Sequence, residues 1–223
     1  IDLDAEGEAR GWEFCLTQIR PAAEVTSEAL AALAGRKPRS RAIPAALKSI
    51  KDQIGQLETL IFCAKALHAA DLRQGKIELD LPTPGLETLG DLRATEPDGG
   101  NRQWIEPLRD EDPFSILAVF LRAAHATWTE HCRDFNLPAL VLQANDPDSG
   151  PLNDVAKAAI ALELPLSLDE EGTTSASELA QALIASPSRR VLNLQLRHTL
   201  PDPQYRLIQA KAKQDRKSTR LNS

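Results

Sequence analysis

The feature that most constrains this chain is an apolar seam in its first third. Aliphatic side chains recur there at alternating spacings of four and three residues, the period of one helix face. The periodic positions are Ile43, Leu47, Ile50, Ile54, Leu57, Ile61, Ala64 and His68. A proline is tolerated in a first turn, so the pattern predicts one helix from about Ile43 to Leu72, with the seam running for about 45 Å.

Two arrangements would cover such a seam. It can form the interface of a coiled-coil dimer, or it can pack against other elements of the same chain. The exposed positions lack a regular charge pattern, which favours a long antiparallel helix within one domain. In that arrangement Ile50, Ile54, Leu57 and Ile61 face inward.

Start and stop signals predict the other elements, and the resulting class is α+β, helix-dominant. In the first half we expect two short strands around Glu6-Gly7-Glu8 with the second at 12–16, and a helix capped by Thr26 or Ser27 and ended by Gly35. After the seam helix we expect a strand at 76–82 after Gly75 and a hairpin pairing 89–95 with 102–108. The second half should contain a helix that begins at Asp112-Pro113 and runs to about Phe135, a strand at 139–143, and helices near 152–162, 175–185 and 188–199.

Bulk properties limit the classes of function. The hydrophobic fraction of 42% and the charged fraction of 26% are those of a globular domain. No apolar run approaches the length of about 18 residues that a membrane span needs. The three cysteines, Cys15, Cys63 and Cys132, predict three buried thiols in a reducing compartment, so we expect a cytoplasmic protein.

The charge disfavours nucleic-acid binding by the isolated chain. Net charge is −6, and the closing run 215–223 carries three basic residues against one acid, so the preceding body is at −8. A polyanion-binding domain usually has a basic surface. The basic link 36–41 contains no aromatic residue, which favours a solvated loop over an RNA-binding patch.

The two ends predict a piece of a longer gene product. The chain opens within an alternating pattern and contains no methionine. The run 215–223 resembles the translation of a sequencing adapter, and a disordered basic tail is the alternative. We therefore expect the domain to occupy residues 1–209 and a disordered or artefactual tail to occupy 210–223.

No self-contained active site emerges from the motifs. His125 and His131 lie about 240° apart on a helix, and His125 lies about 10.5 Å along the axis from Cys132, so these residues do not suit one metal ion. Glu78 and Asp80 share a strand face, but two carboxylates without a third ligand are weak evidence for Mg²⁺. The acids at 110–112 are better explained by helix capping.

The order of segments resembles the ribonuclease II / ribonuclease R exonucleases, in the middle of their RNB catalytic domain. The opening Ile1–Gly7 with Ile19-Arg20 and Val25-Thr26 is similar to the family's strand pair and helix start, although Ser27 stands where tyrosine is usual. The other similar passages are 72–82, 114–145, and 186–197 with Tyr205.

The resemblance implies a partial RNB-type domain of a 3′→5′ exoribonuclease that hydrolyses single-stranded RNA to nucleoside 5′-monophosphates with Mg²⁺. It also implies that the metal-binding aspartates lie upstream of Ile1 and that the phosphate-handling arginines follow residue 209. The chain alone is then inactive scaffold along the RNA channel. Within it, Arg190 and Arg197 are the residues we expect to contact phosphate.

Some features favour a different function. The family's glutamate pair falls near Ala118-Val119, where the acids are missing, and His125 stands where the family has asparagine or glutamate. With the acidic body and the long seam, these departures favour a non-enzymatic homologue or a helical protein-interaction module.

Overall fold

The computed structural model describes residues 1–37, 42–81, 104–143, 145–169 and 172–208. The chain begins with strand β1 (Asp2–Leu3), which pairs antiparallel with β2 (Ala9–Gly11). One Asp4 carboxylate oxygen accepts from the backbone N–H groups of Glu6 and Glu8, and the other accepts from Arg10. This tight turn fixes the pairing close to itself, so the prediction of a second strand at 12–16 was wrong.

Gly7 brings that turn against the following helical layer. Its φ is +83°, and an added Cβ would lie 2.4 Å from the carbonyl carbon of Ala66. A side chain fits neither this backbone conformation nor this close approach. The position therefore requires glycine.

Helix α1 (Ser27–Ala34) begins and ends as its local signals predict. The backbone N–H of Ala29 donates to the Thr26 hydroxyl at 3.2 Å, which satisfies one of the free donors of the first turn. Gly35 occupies the C-cap.

The apolar seam is divided between two kinds of helix. A 3₁₀ helix runs over Ala45–Gln53, Ile50 departs from helical geometry at φ −118° and ψ 23°, and helix α2 (Ile54–Arg73) follows. The prediction of one continuous helix was therefore wrong in its first third. Neighbours three residues apart share a face in both helix types, so the spacing does not distinguish them.

The seam nevertheless packs inside the chain. One cluster of buried side chains joins α1 to the 3₁₀ helix and the start of α2. The seam thus has its cover within one chain, as the internal alternative predicted, although Ile43 at its start is 41% exposed. The cluster consists of Ala29, Leu33, Leu47, Ile50, Ile54 and Leu57.

Strand β3 (Ile77–Glu78) follows Gly75 and pairs in parallel with β4 (Trp104–Ile105). The strand predicted over 76–82 is shorter than expected. Most of the predicted hairpin lies outside the described residues, since 82–103 are not among them. In the part that is described, 104–105 pair with β3, a contact between distant segments that no local signal predicts.

The second half carries the remaining helices. Helix α3 (Pro113–Asp134) starts at the Asp112 cap, and strand β5 (Ala139–Gln143) follows as predicted. Helices α4 (Ser149–Ala161), α5 (Ala176–Leu183) and α6 (Arg189–Thr199) lie close to their predicted positions. Strand β6 (Gln204–Ile208), which the sequence did not predict, pairs antiparallel with β5.

Two further clusters of buried side chains join the one at α1, so the described elements share three core clusters. Leucines from α5 and α6 pack with α4 and the segment around Leu79 in one cluster, and α2 packs on α3 in another. Helix predominates over three two-stranded sheets among the described residues, which confirms the α+β class. Within these ranges, no helix combines the length and the apolar character that a membrane crossing needs.

Candidate functional site at helix α6

Helix α6 carries both arginines that the sequence predicts to contact phosphate. Arg190 and Arg197 are seven residues apart, which places them on one helix face about 10.5 Å apart along the axis. The Arg190 side chain is 67% exposed and its Nε lies 3.6 Å from Asp80 Oδ1. The Arg197 side chain is 35% exposed and its Nη2 lies 3.4 Å from Asp202 Oδ1. Each arginine is thus accessible but has a carboxylate neighbour.

Arg189, the residue before Arg190, belongs to a partly buried ion-pair cluster with His68 and Glu78. His68 Nε2 donates to one Glu78 oxygen at 2.7 Å, and Arg189 Nη2 donates to the other at 3.0 Å. The three side chains are 10%, 14% and 22% exposed, respectively. The cluster therefore joins the last turns of α2 and the first turn of α6 to strand β3.

The cluster holds Glu78 in its ionised form. The hydrogen bond from His68 lowers the pKa of Glu78 most strongly, and the nearby charges of His68 and Arg189 lower it further against an opposing effect of burial. Within the described residues, His68 Nδ1 and Arg189 Nε are buried without a hydrogen-bond partner. Buried polar groups usually have partners, so the cluster retains unused hydrogen-bonding capacity.

Asn193 extends these contacts along α6. Its side chain is 1% exposed, and its Nδ2 lies 3.4 Å from the main-chain oxygen of Asp80. Glu78 and Asp80 form ion pairs with two different arginines of α6, Arg189 and Arg190, although Asp80 lies beyond the end of β3.

A second ion network lies one turn further along α2. Asp71 accepts from Lys76 and, at 3.1 Å, from Arg122 Nε of α3. The Asp71 and Arg122 side chains are 15% and 11% exposed. Charged contacts thus tie the end of α2 to α3 as well as to β3.

The candidate metal ligands do not form a Mg²⁺ site. Both oxygens of Glu78 are engaged by cationic or N–H donors, and Asp80 faces Arg190. Over the ranges that the structure covers, no three His, Cys, Asp or Glu side chains stand close enough to hold a metal ion. The described residues therefore do not fit this cofactor.

The other candidate ligands have different neighbours. His131 stacks among aromatic rings, while Cys132 is 1% exposed. Asp112 caps α3, as predicted, whereas Asp110 pairs with Lys65 at 2.6 Å. That hydrogen bond from Lys65 lowers the pKa of Asp110.

Sequence reasoning missed His68 and Arg189 as site residues. His68 was assigned to the apolar seam, and its partner Glu78 follows ten residues later. The available signal was the polar end of that seam, which needs a partner when it is buried. Arg189 lies 111 residues from Glu78, so only the fold brings this pair together.

Fold and site together define a helix-rich α+β domain in which charged side chains hold helices α2 and α6 to a short strand and leave two further arginines accessible. The family model described as RNB domain matches residues 1–222, so the chain belongs to the RNB domain family, as its motifs predicted. This is a family of RNA-binding exoribonucleases that depend on divalent metal ions. Comparison with curated proteins and with solved structures gives no significant match.

Proposed function

We propose that the chain is part of a 3′→5′ exoribonuclease that hydrolyses single-stranded RNA to nucleoside 5′-monophosphates with Mg²⁺ in the cytoplasm. The observation that carries the proposal is the RNB domain match over residues 1–222. In this proposal the metal-binding aspartates are those that the family resemblance implies upstream of Ile1. The 223-residue chain by itself is therefore inactive.

The cytoplasmic assignment rests on the cysteines. All three thiols are free, although Cys15 is exposed and Cys63 is half-buried, so the prediction of three buried thiols was wrong for these two. Free thiols suit a reducing compartment whatever their exposure.

In this proposal α6 provides phosphate contacts along the wall of the RNA channel, through Arg190 and Arg197. Both residues lie on one helix face and reach solvent. Each of these ion pairs, at 3.4–3.6 Å, has one exposed partner and therefore contributes little in water, so a phosphate can replace the carboxylate. The seam that favoured an interaction module is covered by the chain's own helices, which removes one argument for that alternative.

RNA binding as a function of salt tests the phosphate contacts. Removing one arginine–phosphate pair from a complex with single-stranded RNA reduces the slope of log affinity against log salt by about 0.7. Arg190→Ala with Arg197→Ala should therefore reduce the slope by about 1.4, measured by fluorescence anisotropy with a labelled oligouridine. Lys157→Ala is the matched control, because Lys157 is 76% exposed and pairs with Asp154 on another helix. An unchanged slope in the double variant would remove both arginines from the RNA path.

The opposite change should strengthen binding. Asp202 is 87% exposed and competes with phosphate for Arg197, so Asp202→Asn should raise the RNA affinity about two- to threefold. Asp154→Asn, which changes the net charge equally, is the control and should have no such effect. Equal gains in both variants would indicate a general charge effect.

Activity is tested with 5′-labelled single-stranded RNA and Mg²⁺. We expect no shortening by the purified chain. Progressive shortening from the 3′ end, at a rate that follows the protein through purification, would contradict the placement of the metal ligands outside the chain.

A further inference from the structure

Exposed aromatic side chains gather at the end of α3. Trp128 and His131 stack with ring centroids 5.7 Å apart, and His131 lies 4.4 Å from Phe135. Phe14, from the segment after β2, meets Trp128 edge-on at 5.0 Å. The chain has three tryptophans, five phenylalanines and one tyrosine, so this aromatic ladder uses a third of them in one place.

The aromatic ladder remains open to solvent. Phe14 is 42% exposed, Trp128 47% and Phe135 66%. Rings that stack without becoming buried leave their faces available to a ligand, and a contiguous exposed apolar patch usually marks an interaction site.

A cleft of about 460 Å³ opens beside the ladder. The aromatic part of its wall comes from Trp12, Phe14, His131 and Phe135. The rest of the wall comes from Gly11 and from three charged side chains, those of Arg10, Glu13 and Asp134. The cleft is open to solvent along much of its surface, so it suits a side chain that lies across it better than an enclosed small molecule.

The charges of the cleft are unbalanced. Arg10 is held by Asp4, with its Nη2 2.6 Å from Asp4 Oδ2. The side chains of Glu13 and Asp134 have no hydrogen bond or ion pair to any residue that the structure describes. The cleft thus offers aromatic faces and two free carboxylates, while its one arginine is already neutralised.

We propose that this cleft binds an arginine side chain presented by an extended segment of a partner protein. A guanidinium stacks on aromatic faces and pairs with carboxylates, so it matches both parts of the cleft at once. RNA bases would also stack, but two unpaired carboxylates repel the phosphates that accompany them. A purely apolar partner would cover the carboxylates without pairing them, which is costly. The inference does not depend on the proposed nuclease function.

The three tryptophans provide the readout. Trp12 and Trp128 belong to the cleft and its ladder, whereas Trp104 is 7% exposed and lies in a core cluster. In ¹⁵N-labelled full chain, a capped peptide with one arginine between glycines and serines should shift the indole N–H signals of Trp12 and Trp128 and leave that of Trp104 unchanged. The same peptide with citrulline, which lacks the charge, should bind about threefold or more weakly.

Substitutions should follow the same chemistry. Glu13→Gln with Asp134→Asn, and separately Phe135→Leu, should each weaken the arginine peptide about three- to tenfold. These side chains are exposed, so the fold should tolerate the changes. Phe62→Leu, at a side chain 65% exposed on α2, and Asp146→Asn are the matched controls and should bind as the unaltered chain does.

Three results would overturn the proposal. The first is that the indole signals do not move when the arginine peptide is added, and the second is that the citrulline peptide binds equally well. The third is that a short single-stranded RNA shifts the Trp12 and Trp128 signals at a lower concentration than the peptide does, and that Phe135→Leu weakens the binding of that RNA. The last result would assign the cleft to nucleobases instead.

Discussion

Replacing Glu78 with glutamine tests whether the ion-pair cluster of His68, Glu78 and Arg189 holds α6 to strand β3. The substitution keeps the size and shape of the side chain and removes its charge. One amide oxygen can still accept from His68 or Arg189, but the amide N–H₂ then faces the other donor. Arg189, whose side chain is 22% exposed, loses its carboxylate.

The expected loss of unfolding free energy is about 2–3 kcal/mol. A hydrogen bond to a charged group contributes about 1.5–3 kcal/mol, and breaking a fully buried ion pair costs about 3–5 kcal/mol. The contacts here are short, at 2.7 and 3.0 Å, but side-chain exposures of 14% for Glu78 and 22% for Arg189 allow water to compensate in part. The expected loss of unfolding free energy for Glu78→Gln therefore lies in the lower part of these two ranges taken together.

The effect should also depend on pH. The cluster lowers the pKa of Glu78 below its unfolded value of about 4.3, so its contribution to stability is complete above that value. The contribution is lost as the pH falls through the lowered folded-state pKa. The difference between the unaltered chain and Glu78→Gln should therefore be largest near neutral pH and shrink below about pH 4.

Urea unfolding followed by circular dichroism, between about pH 7 and pH 3, measures both effects. Glu58→Gln is the matched control, because Glu58 is 57% exposed and lies 3.6 Å from Arg36, and it should cost less than about 1 kcal/mol. If Glu78→Gln costs no more than Glu58→Gln, or if its cost does not change with pH, the cluster does not hold α6.

Two further substitutions test the packing of the first half. Leu57→Ala should reduce the free energy of unfolding by about 2–4 kcal/mol at any protein concentration, because Leu57 is 9% exposed inside a cluster of its own chain. The control Lys51→Ala, at an exposed side chain, should change it by less than about 0.5 kcal/mol. An unfolding midpoint that depends on protein concentration would instead indicate a dimer interface. Gly7→Ala should reduce the free energy of unfolding by at least about 2 kcal/mol, because Gly7 has a positive φ and an added Cβ would clash with the backbone of Ala66. The control Gly55→Ala, where a Cβ meets nothing within 4 Å, should be neutral or slightly stabilising. Equal effects of the two substitutions would contradict the close approach at Gly7.

Local chemistry predicts the elements whose ends are marked by side chains. The Thr26 cap and the Asp112-Pro113 start each satisfy free backbone donors within a few residues, so the sequence reveals α1 and α3 directly. The 3₁₀ segment was not predicted because its buried positions repeat like those of an α-helix. Strand β6 was not predicted because its only described pairing is with a strand about 60 residues away. The tail boundary at residue 209 stays a prediction, since 209–223 lie outside the described residues.

The candidate site shows the same limit more sharply. The sequence identified arginines on the last helix but could not distinguish their roles, because role depends on which side of the helix faces the core. Arg189 and Arg190 are neighbours separated by about 100° of rotation, and the structure places the first in the cluster with Glu78 and the second largely in solvent. An Arg189 substitution would therefore reduce stability, whereas a substitution of Arg190, whose side chain is 67% exposed, can test the proposed RNA contact with less effect on the fold.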